Sequence, residues 1–222
     1  LLYGPSFNFA RSLANEFKTS VVISIYEDDA KGKFNTAIIV NSNGDLISKT
    51  RKTHLPITTG YYEDKYFNHG DSQPTVVDIK STKVGVPTCW DQWFPELARE
   101  YGLLQADLIC YPTAIGSEPD FPEFNTEPIW RQTMVAHGIV NGYFVAAVNR
   151  VGIEDGVNFY GSSFISDPYG RIIVQAGREN PAIIVADIDV DQKRDWLELF
   201  PFFKTRRPEM YPSINRSDLP TP

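Results

Sequence analysis

Apolar and polar positions along the chain alternate between a helical period and a strand period. A one-sided apolar stripe over residues 5–17, opened by Pro5, predicts a helix, because proline fits the first helical turn. Helices are also predicted at residues 93–102, 128–141 and 190–199. Short apolar or β-branched runs bounded by turn residues predict strands. These runs are residues 21–26, 36–40, 46–48, 76–79, 83–86, 108–111, 144–148, 161–165, 171–174 and 183–188, the last predicted as the final core strand.

Turn residues join some of these strands into hairpins. Asn43-Gly44 is a strong hairpin signal between the second and third predicted strands, and Asp167-Pro168-Tyr169-Gly170 is typical of a turn. Strands alternating with helices indicate the α/β or α+β class, as one layered domain over residues 1–200. Residues 201–222 contain five prolines, which predicts an extended C-terminal arm.

Composition excludes several classes of protein. The chain has 222 residues, 42% hydrophobic and 13% aromatic, which supplies a packed core and argues against disorder. No apolar run approaches the roughly 20 residues that a spanning helix needs. Its net charge of -7 does not favour nucleic acid or an anionic membrane as a partner. Two cysteines are too few for a disulfide scaffold, so we expect a cytoplasmic protein.

Cys89 is the residue that the chemistry points to first. It follows a predicted strand and precedes a predicted helix, where α/β proteins form ligand sites and where a helix N-terminus or a lysine lowers a thiol pKa. The alternative interpretation is a small buried hydrophobic residue, which also fits Cys110 in mid-strand. His54, His69 and His137 lack metal-ligand spacing, so no metal site is predicted.

Seven segments, in order, give the chain a resemblance to the carbon–nitrogen hydrolase (nitrilase) superfamily, and within it to the N-carbamoylputrescine amidases. The resemblance runs over nearly the whole chain. The segments are Arg51-Lys52-Thr53-His54-Leu55-Pro56, Gly60-Tyr61-Tyr62-Glu63, Cys89-Trp90-Asp91-Gln92-Trp93-Phe94-Pro95-Glu96, Tyr111-Pro112-Thr113-Ala114-Ile115-Gly116-Ser117-Glu118-Pro119, Asn149-Arg150-Val151-Gly152, Phe159-Tyr160-Gly161-Ser162-Ser163-Phe164 and Arg206-Arg207-Pro208-Glu209-Met210-Tyr211.

The resemblance implies an α-β-β-α sandwich that hydrolyses N-carbamoylputrescine to putrescine, ammonia and carbon dioxide, a step of polyamine biosynthesis. It assigns Cys89 as the nucleophile, Lys52 as the lysine of a Glu-Lys-Cys triad and Glu63 as a second glutamate near the site. The backbone N–H of Trp90 would help to stabilise the oxyanion. Glu118 would hold the substrate's ammonium group, or else is a loop acid that caps the following segment. No metal or organic cofactor is implied, and a homo-oligomer is expected.

Two departures from the family pattern bear on activity. No position matches the first glutamate, the general base, and the family's first strand, helix and second strand are expected to be missing before Leu1. Glu27 follows a later strand and does not match that role. Pro87-Thr88 precedes the nucleophile where the family prefers small apolar residues. The alternatives are therefore a sister ureide hydrolase such as a β-ureidopropionase, or an inactive truncated member that serves as a binding or assembly module.

Overall fold

The computed structural model describes residues 2–216, which form four helices and eleven strands. The helices are α1 (Pro5–Phe17), α2 (Pro95–Leu103), α3 (Glu127–Asn141) and α4 (Asp191–Leu199). The strands are β1 (Val21–Asp29), β2 (Gly32–Val40), β3 (Leu46–Arg51), β4 (Val76–Ile79), β5 (Thr82–Gly85), β6 (Leu108–Thr113), β7 (Phe144–Asn149), β8 (Val151–Glu154), β9 (Val157–Tyr160), β10 (Phe164–Ser166) and β11 (Ile172–Gln175). Short 3-10 turns occupy Glu63–Lys65, Cys89–Trp93, Pro208–Met210 and Pro212–Asn215.

Two sheets pack face to face, and helices cover both outer faces. The antiparallel sheet β1-β2-β3 and the six-stranded sheet β11-β10-β7-β6-β5-β4 share an apolar layer that includes Ile39 and Val84. α1 covers the outer face of the first sheet, where Phe7 packs with Ile38. α2 and α3 cover the outer face of the second, with Trp130 fully buried. The layer order is α-β-β-α, so the predicted sandwich is confirmed.

The parallel part of the large sheet gathers three chain segments at one edge. β5 pairs in parallel with β6, and β6 in parallel with β7, so their carboxyl ends point the same way. The turn at Cys89 follows β5, residues 114–118 follow β6, and Arg150 follows β7. Ligand sites of open α/β sheets form at such an edge, because loops from neighbouring strands converge there.

Most predicted elements are confirmed, with boundary shifts of a few residues. All four helices are present, and α1 has the predicted bounds. The predicted hairpins are β2-β3, with Asn43-Gly44 in its turn, and β10-β11. The β8-β9 hairpin was not predicted, although its Asp155-Gly156 turn is a recognised signal. Both turn residues have positive φ, at 48° and 84°, as a type I′ turn requires.

The predicted core strand at residues 183–188 is wrong. In the described chain this segment is not a strand, and Ile183 and Val185 are 94% and 80% exposed. Their alternation with the half-buried Ile184 and Ala186 has the strand period. A strand also requires a hydrogen-bonded neighbour, and none of the sheets within residues 2–216 includes this segment. The apolar pattern correctly indicated the alternation of exposed and half-buried side chains, but it could not show whether a neighbouring strand pairs with this segment.

The proline-rich C-terminal region contains short turns over the part that the structure describes. Pro208–Met210 and Pro212–Asn215 are single 3-10 turns, and the Phe203 ring lies 5.1 Å from the Arg99 guanidinium of α2. The remainder of the predicted arm, residues 217–222, lies outside the described residues. The boundary at residue 200 and the role of an arm in assembly stay predictions.

His137 on α3 is a buried histidine away from Cys89, and it predicts acid sensitivity of the fold. Its Nδ1 is buried without a hydrogen-bond partner, and burial lowers its pKa to about 4. The unfolded chain therefore binds a proton between pH 6.5 and 4 that the folded chain does not. Stability should fall as the pH drops through this window, by about 2 kcal/mol between pH 7 and pH 5. Urea unfolding at both pH values measures this difference.

His137→Gln is the matched control for this expectation, since it keeps a polar side chain but does not titrate. The variant should lose most of the pH dependence between pH 7 and pH 5. Glu27, whose pKa is lowered to about 2 by hydrogen bonds from Arg51, Lys49 and Thr36 that outweigh its burial, affects stability only below about pH 4.5. An unchanged pH dependence in His137→Gln would assign the effect to another group.

Candidate active site

Cys89 lies at the first position of the 3-10 turn that follows β5. Its φ of +45° falls in the left-handed region, which residues other than glycine rarely adopt. The side chain is 9% exposed, and its Sγ lies 3.8 Å from the carbonyl oxygen of Ala114. This sharp strand-to-turn geometry places the thiol at the edge of the sheet, beside the loop that follows β6.

Lys52 directly follows β3 and forms a buried ion pair with Glu63. Its Nζ, with no exposed side-chain surface, donates to Glu63 Oε1 at 2.7 Å. Asn35 of β2 donates from its Nδ2 to Glu63 Oε2 at 3.2 Å, so both carboxylate oxygens have partners. The Lys52 backbone N–H donates to the Asn35 carbonyl at 2.8 Å. The ammonium group is therefore held in one orientation.

Two cavities meet at Cys89. The larger, about 350 Å³, is lined by Cys89, Glu63 and Arg150 among others. Its described lining residues are Ser24, Asn35, Glu63, Thr88, Cys89, Pro112, Thr113, Ala114, Val148, Asn149 and Arg150. The second is narrow and is lined by Pro56, Tyr61, Cys89, Trp90, Ala114, Ile115 and Glu118. Cys89 therefore shares the larger cavity with Glu63, the partner of Lys52, and shares the narrow cavity with Glu118.

The surroundings of Cys89 favour the neutral thiol over the thiolate. Burial raises the pKa of Cys89, while the nearby charge of Lys52 acts to lower it and that of Glu63 to raise it. Nucleophilic attack therefore requires a base to remove the proton. Cys110 differs, because burial alone raises its pKa to about 12. Burial also raises the pKa of Glu118, so this carboxylate protonates at a higher pH than an exposed glutamate.

The structure brings the predicted site residues around the two cavities. Cys89, Glu63, Trp90 and Glu118 line them, and Lys52 contacts Glu63. The roles assigned to these residues stay predictions. Pro87 is tolerated before the turn, because the backbone hydrogen bond at this point is donated by the N–H of Thr88 to the Asp91 carboxylate.

Three residues of the site were missed by the sequence reasoning. Asn35 donates a hydrogen bond to Glu63, which lies 28 residues later in the sequence, and no local pattern reveals such a contact. Tyr61 lines the narrow cavity, and its hydroxyl accepts a hydrogen bond from the Gly116 N–H at 3.0 Å. Asp91 is the third, and here a signal existed. A threonine followed three residues later by an acid is a capping pattern, and the Asp91 side chain accepts the expected hydrogen bond from the Thr88 N–H.

Other kinds of site were searched for in the part of the chain that is described. Within residues 2–216, no group of three or more His, Cys, Asp or Glu side chains could hold a metal ion. None of the helices in that range has the length and apolar character to cross a membrane.

Comparison with known proteins decides the family. Residues 2–197 match the sequence profile of the carbon-nitrogen hydrolases. The chain belongs to the carbon-nitrogen hydrolase family. A solved carbon-nitrogen hydrolase from Helicobacter pylori G27 superimposes with a TM-score of 0.92 at 31% identity, over 98% of this chain and 78% of that one. The predicted family resemblance and fold are confirmed.

Curated carbon-nitrogen hydrolases with named activities are also similar. An N-carbamoylputrescine amidase of Arabidopsis thaliana is 36% identical over 93% of this chain and 72% of its own length. A citrullinase of Francisella tularensis is 36% identical over 96% of this chain and 76% of its own. The likeness supports a hydrolase that cleaves C–N bonds of amide or carbamoyl compounds.

Proposed function

We propose that the protein hydrolyses an N-carbamoyl amine with a cationic tail, N-carbamoylputrescine being the substrate, through a thioester on Cys89. The observation that carries the proposal is the position of Cys89 at the junction of two cavities. The Lys52–Glu63 pair lies at one cavity, and the Glu118 carboxylate lies in the other. The ureido group would react at the junction while the distal ammonium group faces Glu118.

The proposed chemistry has two steps. The Cys89 thiolate attacks the ureido carbonyl carbon, and Lys52 and the Trp90 N–H stabilise the oxyanion. The C–N bond to the terminal nitrogen breaks, this nitrogen takes up the proton that the thiol gave up and leaves as ammonia, and a carbamoyl thioester remains. Water then attacks the thioester, the C–S bond breaks, and the resulting carbamic acid decomposes to putrescine and carbon dioxide. Glu63 holds the Lys52 ammonium group in place through its hydrogen bond.

Activity of these 222 residues by themselves tests the alternative of an inactive member. The resemblance assigns the thiol proton to a glutamate that no position of this chain matches. Loss of a general base typically lowers the rate by about 10² to 10⁴-fold. Ammonia release from N-carbamoylputrescine by this chain supports the hydrolase. Absence of ammonia release under the same conditions favours a binding or assembly module.

The charges around the narrow cavity favour an amine over an acid as the tail of the substrate. Its described lining residues include one carboxylate, Glu118, and no lysine or arginine. A carboxylate pairs strongly with an ammonium group in a closed pocket. The nearby Thr126 side chain acts to lower the pKa of Glu118, against the larger effect of burial. Because the cavity is narrow, the aliphatic chain must displace lining side chains such as Tyr61 on binding.

A ureido amino acid is the second candidate substrate, because Arg150 lines the larger cavity. Its guanidinium could receive a carboxylate, but it already pairs with Glu154 at 2.5 Å and stacks on the Phe159 ring. A panel of N-carbamoylputrescine, citrulline and N-carbamoyl-β-alanine separates the two candidates. Preference for either acid over the amine would contradict the proposed substrate while leaving the hydrolase chemistry intact.

Glu118→Gln should raise KM for N-carbamoylputrescine by about tenfold or more, since it removes a charge-assisted hydrogen bond. The matched control substrate is N-butylurea, which has the same chain length without the ammonium group, and its KM should change little. Because burial raises the pKa of Glu118, lowering the pH should protonate it and raise KM of the wild-type protein for the diamine. Glu118→Gln should lack this pH effect.

Steady-state kinetics with both substrates across pH 5–8 measure these expectations. Equal changes in KM for the charged and uncharged ureides would contradict the ammonium contact. Glu118 would then be assigned to the loop, where its carbonyl oxygen accepts a hydrogen bond from the Phe121 N–H.

A further inference from the structure

Asp91 connects the two segments that carry Lys52 and Cys89. Its side chain is buried, with 1% exposed, within the 3-10 turn that begins at Cys89. Oδ2 accepts a hydrogen bond from the Thr88 N–H at 3.1 Å, directly before the thiol. Oδ1 accepts one from the His54 N–H at 2.9 Å, two residues after Lys52. One carboxylate therefore bonds to both segments.

Further contacts strengthen the lysine side of this connection. The Thr53 N–H donates to Asp91 Oδ2 at 3.4 Å, and the His54 ring places its Nδ1 2.8 Å from Oδ1. The same ring stacks on Phe94, with centroids 3.5 Å apart and planes 7° from parallel. Asp91 thus has three donors from the segment after Lys52 and one from the residue before Cys89.

We infer that Asp91 is a positioning residue, which holds the Cys89 thiol in place relative to the Lys52 ammonium group. The inference rests on the proposed function, in which these two groups act on one carbonyl. The strained left-handed backbone at Cys89 persists only if neighbouring contacts hold it. Asp91 supplies such contacts and ties them to the strand end that carries the lysine.

A positioning role of Asp91 and a purely electrostatic role predict opposite changes in the rate of Cys89 alkylation for Asp91→Asn. The negative charge of Asp91 raises the pKa of the Cys89 thiol, so loss of charge alone would increase the thiolate fraction and speed alkylation. Loss of position would move the thiol away from Lys52, whose charge lowers the same pKa, and would slow alkylation. We expect alkylation by iodoacetamide at pH 7.5 to be slower by about tenfold.

Asp167→Asn is the matched control. Asp167 is also a buried aspartate, and it accepts hydrogen bonds from the Tyr169 and Arg171 N–H groups at 3.0 and 2.9 Å. It lies in the turn between β10 and β11 and lines neither cavity. This variant should lose stability without changing alkylation of Cys89. Peptide mass spectrometry separates Cys89 from Cys110, and increased labelling of the partly buried Cys110 reports unfolding.

A double-mutant cycle with Lys52→Met separates positioning from general destabilisation. Lys52→Met should slow alkylation of Cys89 in the wild-type and Asp167→Asn backgrounds, because the nearby positive charge is lost. In the Asp91→Asn background the further change should be less than about twofold, since the two groups no longer face each other. If Asp91→Asn does not fold, Asp91→Glu replaces it, because it keeps the charge and moves the oxygens by one methylene.

Wild-type or faster alkylation in Asp91→Asn, or additive effects in the cycle, would overturn the positioning role. No effect of Lys52→Met in the wild-type background would overturn both this role and the proposed pairing of Lys52 with Cys89. Alkylation is independent of substrate identity. A chain that gives the expected cycle and hydrolyses no ureide therefore keeps Asp91 as a positioning residue and contradicts only the proposed function.

Discussion

Replacing Cys89 by alanine should reduce ammonia release from N-carbamoylputrescine to background, a loss of at least about 10⁴-fold. The proposed reaction forms a covalent bond to this sulfur, and no other group at the junction of the cavities replaces it. The fold should be retained, because the substitution removes only the sulfur atom and leaves the Asp91 hydrogen bonds that hold the turn. Ammonia assays and circular dichroism of the purified variant measure activity and fold separately.

Cys110→Ala is the control for the loss of a thiol. Cys110 lies in β6 as part of the layer between the sheets, away from both cavities. This variant should keep the wild-type activity, and its Cys89 should still be alkylated by iodoacetamide. Turnover retained by Cys89→Ala, or lost equally by both variants, would contradict the nucleophile assignment.

Replacing Lys52 by methionine should lower kcat for the same substrate by about 10² to 10³-fold, with a smaller effect on KM. A buried donor aimed at a developing oxyanion stabilises the transition state more than the ground state, and its removal costs about 3 kcal/mol. Methionine fills a similar volume, so the change removes the charge and its hydrogen bond to Glu63. Steady-state kinetics resolve kcat from KM.

Lys49→Met, a change within β3 three residues before Lys52, is the matched control. Lys49 pairs with Glu27 at 2.8 Å, outside both cavities, and Glu27 keeps its bonds from Arg51 when Lys49 is changed. Its kcat should remain within about twofold of wild type, as expected for a charge away from the site. An equal fall in kcat for both lysine variants would indicate general destabilisation and would remove Lys52 from the mechanism.

Local signals in the sequence predicted much of the fold. The helical stripe over residues 5–17 and the Asn43-Gly44 turn are short-range features, and both appear where they were predicted. The segment at residues 183–188 shows the limit of such signals. Its strand period is real, but pairing is a long-range property, and no described sheet includes it.

The candidate site was predicted from ordered motifs and completed by the structure. Local reasoning indicated Cys89 through its strand-to-helix position, and the family resemblance added Lys52 and Glu63. Neither could find Asn35, because its contact with Glu63 depends on how β2 lies against the loop after β3. The hydrogen bonds that Asp91 accepts from the segments after β3 and β5 likewise depend on the packing of the two sheets.

The junction of two cavities at Cys89 has a consequence for the order of events in the proposed reaction. While the amine stays in the narrow cavity beside Glu118, the larger cavity gives a separate path to the sulfur. Ammonia can leave and water can enter along this path with the carbamoyl group still attached. An added small nucleophile such as hydroxylamine would arrive by the same path, compete with water and divert the carbamoyl group to a hydroxyurea.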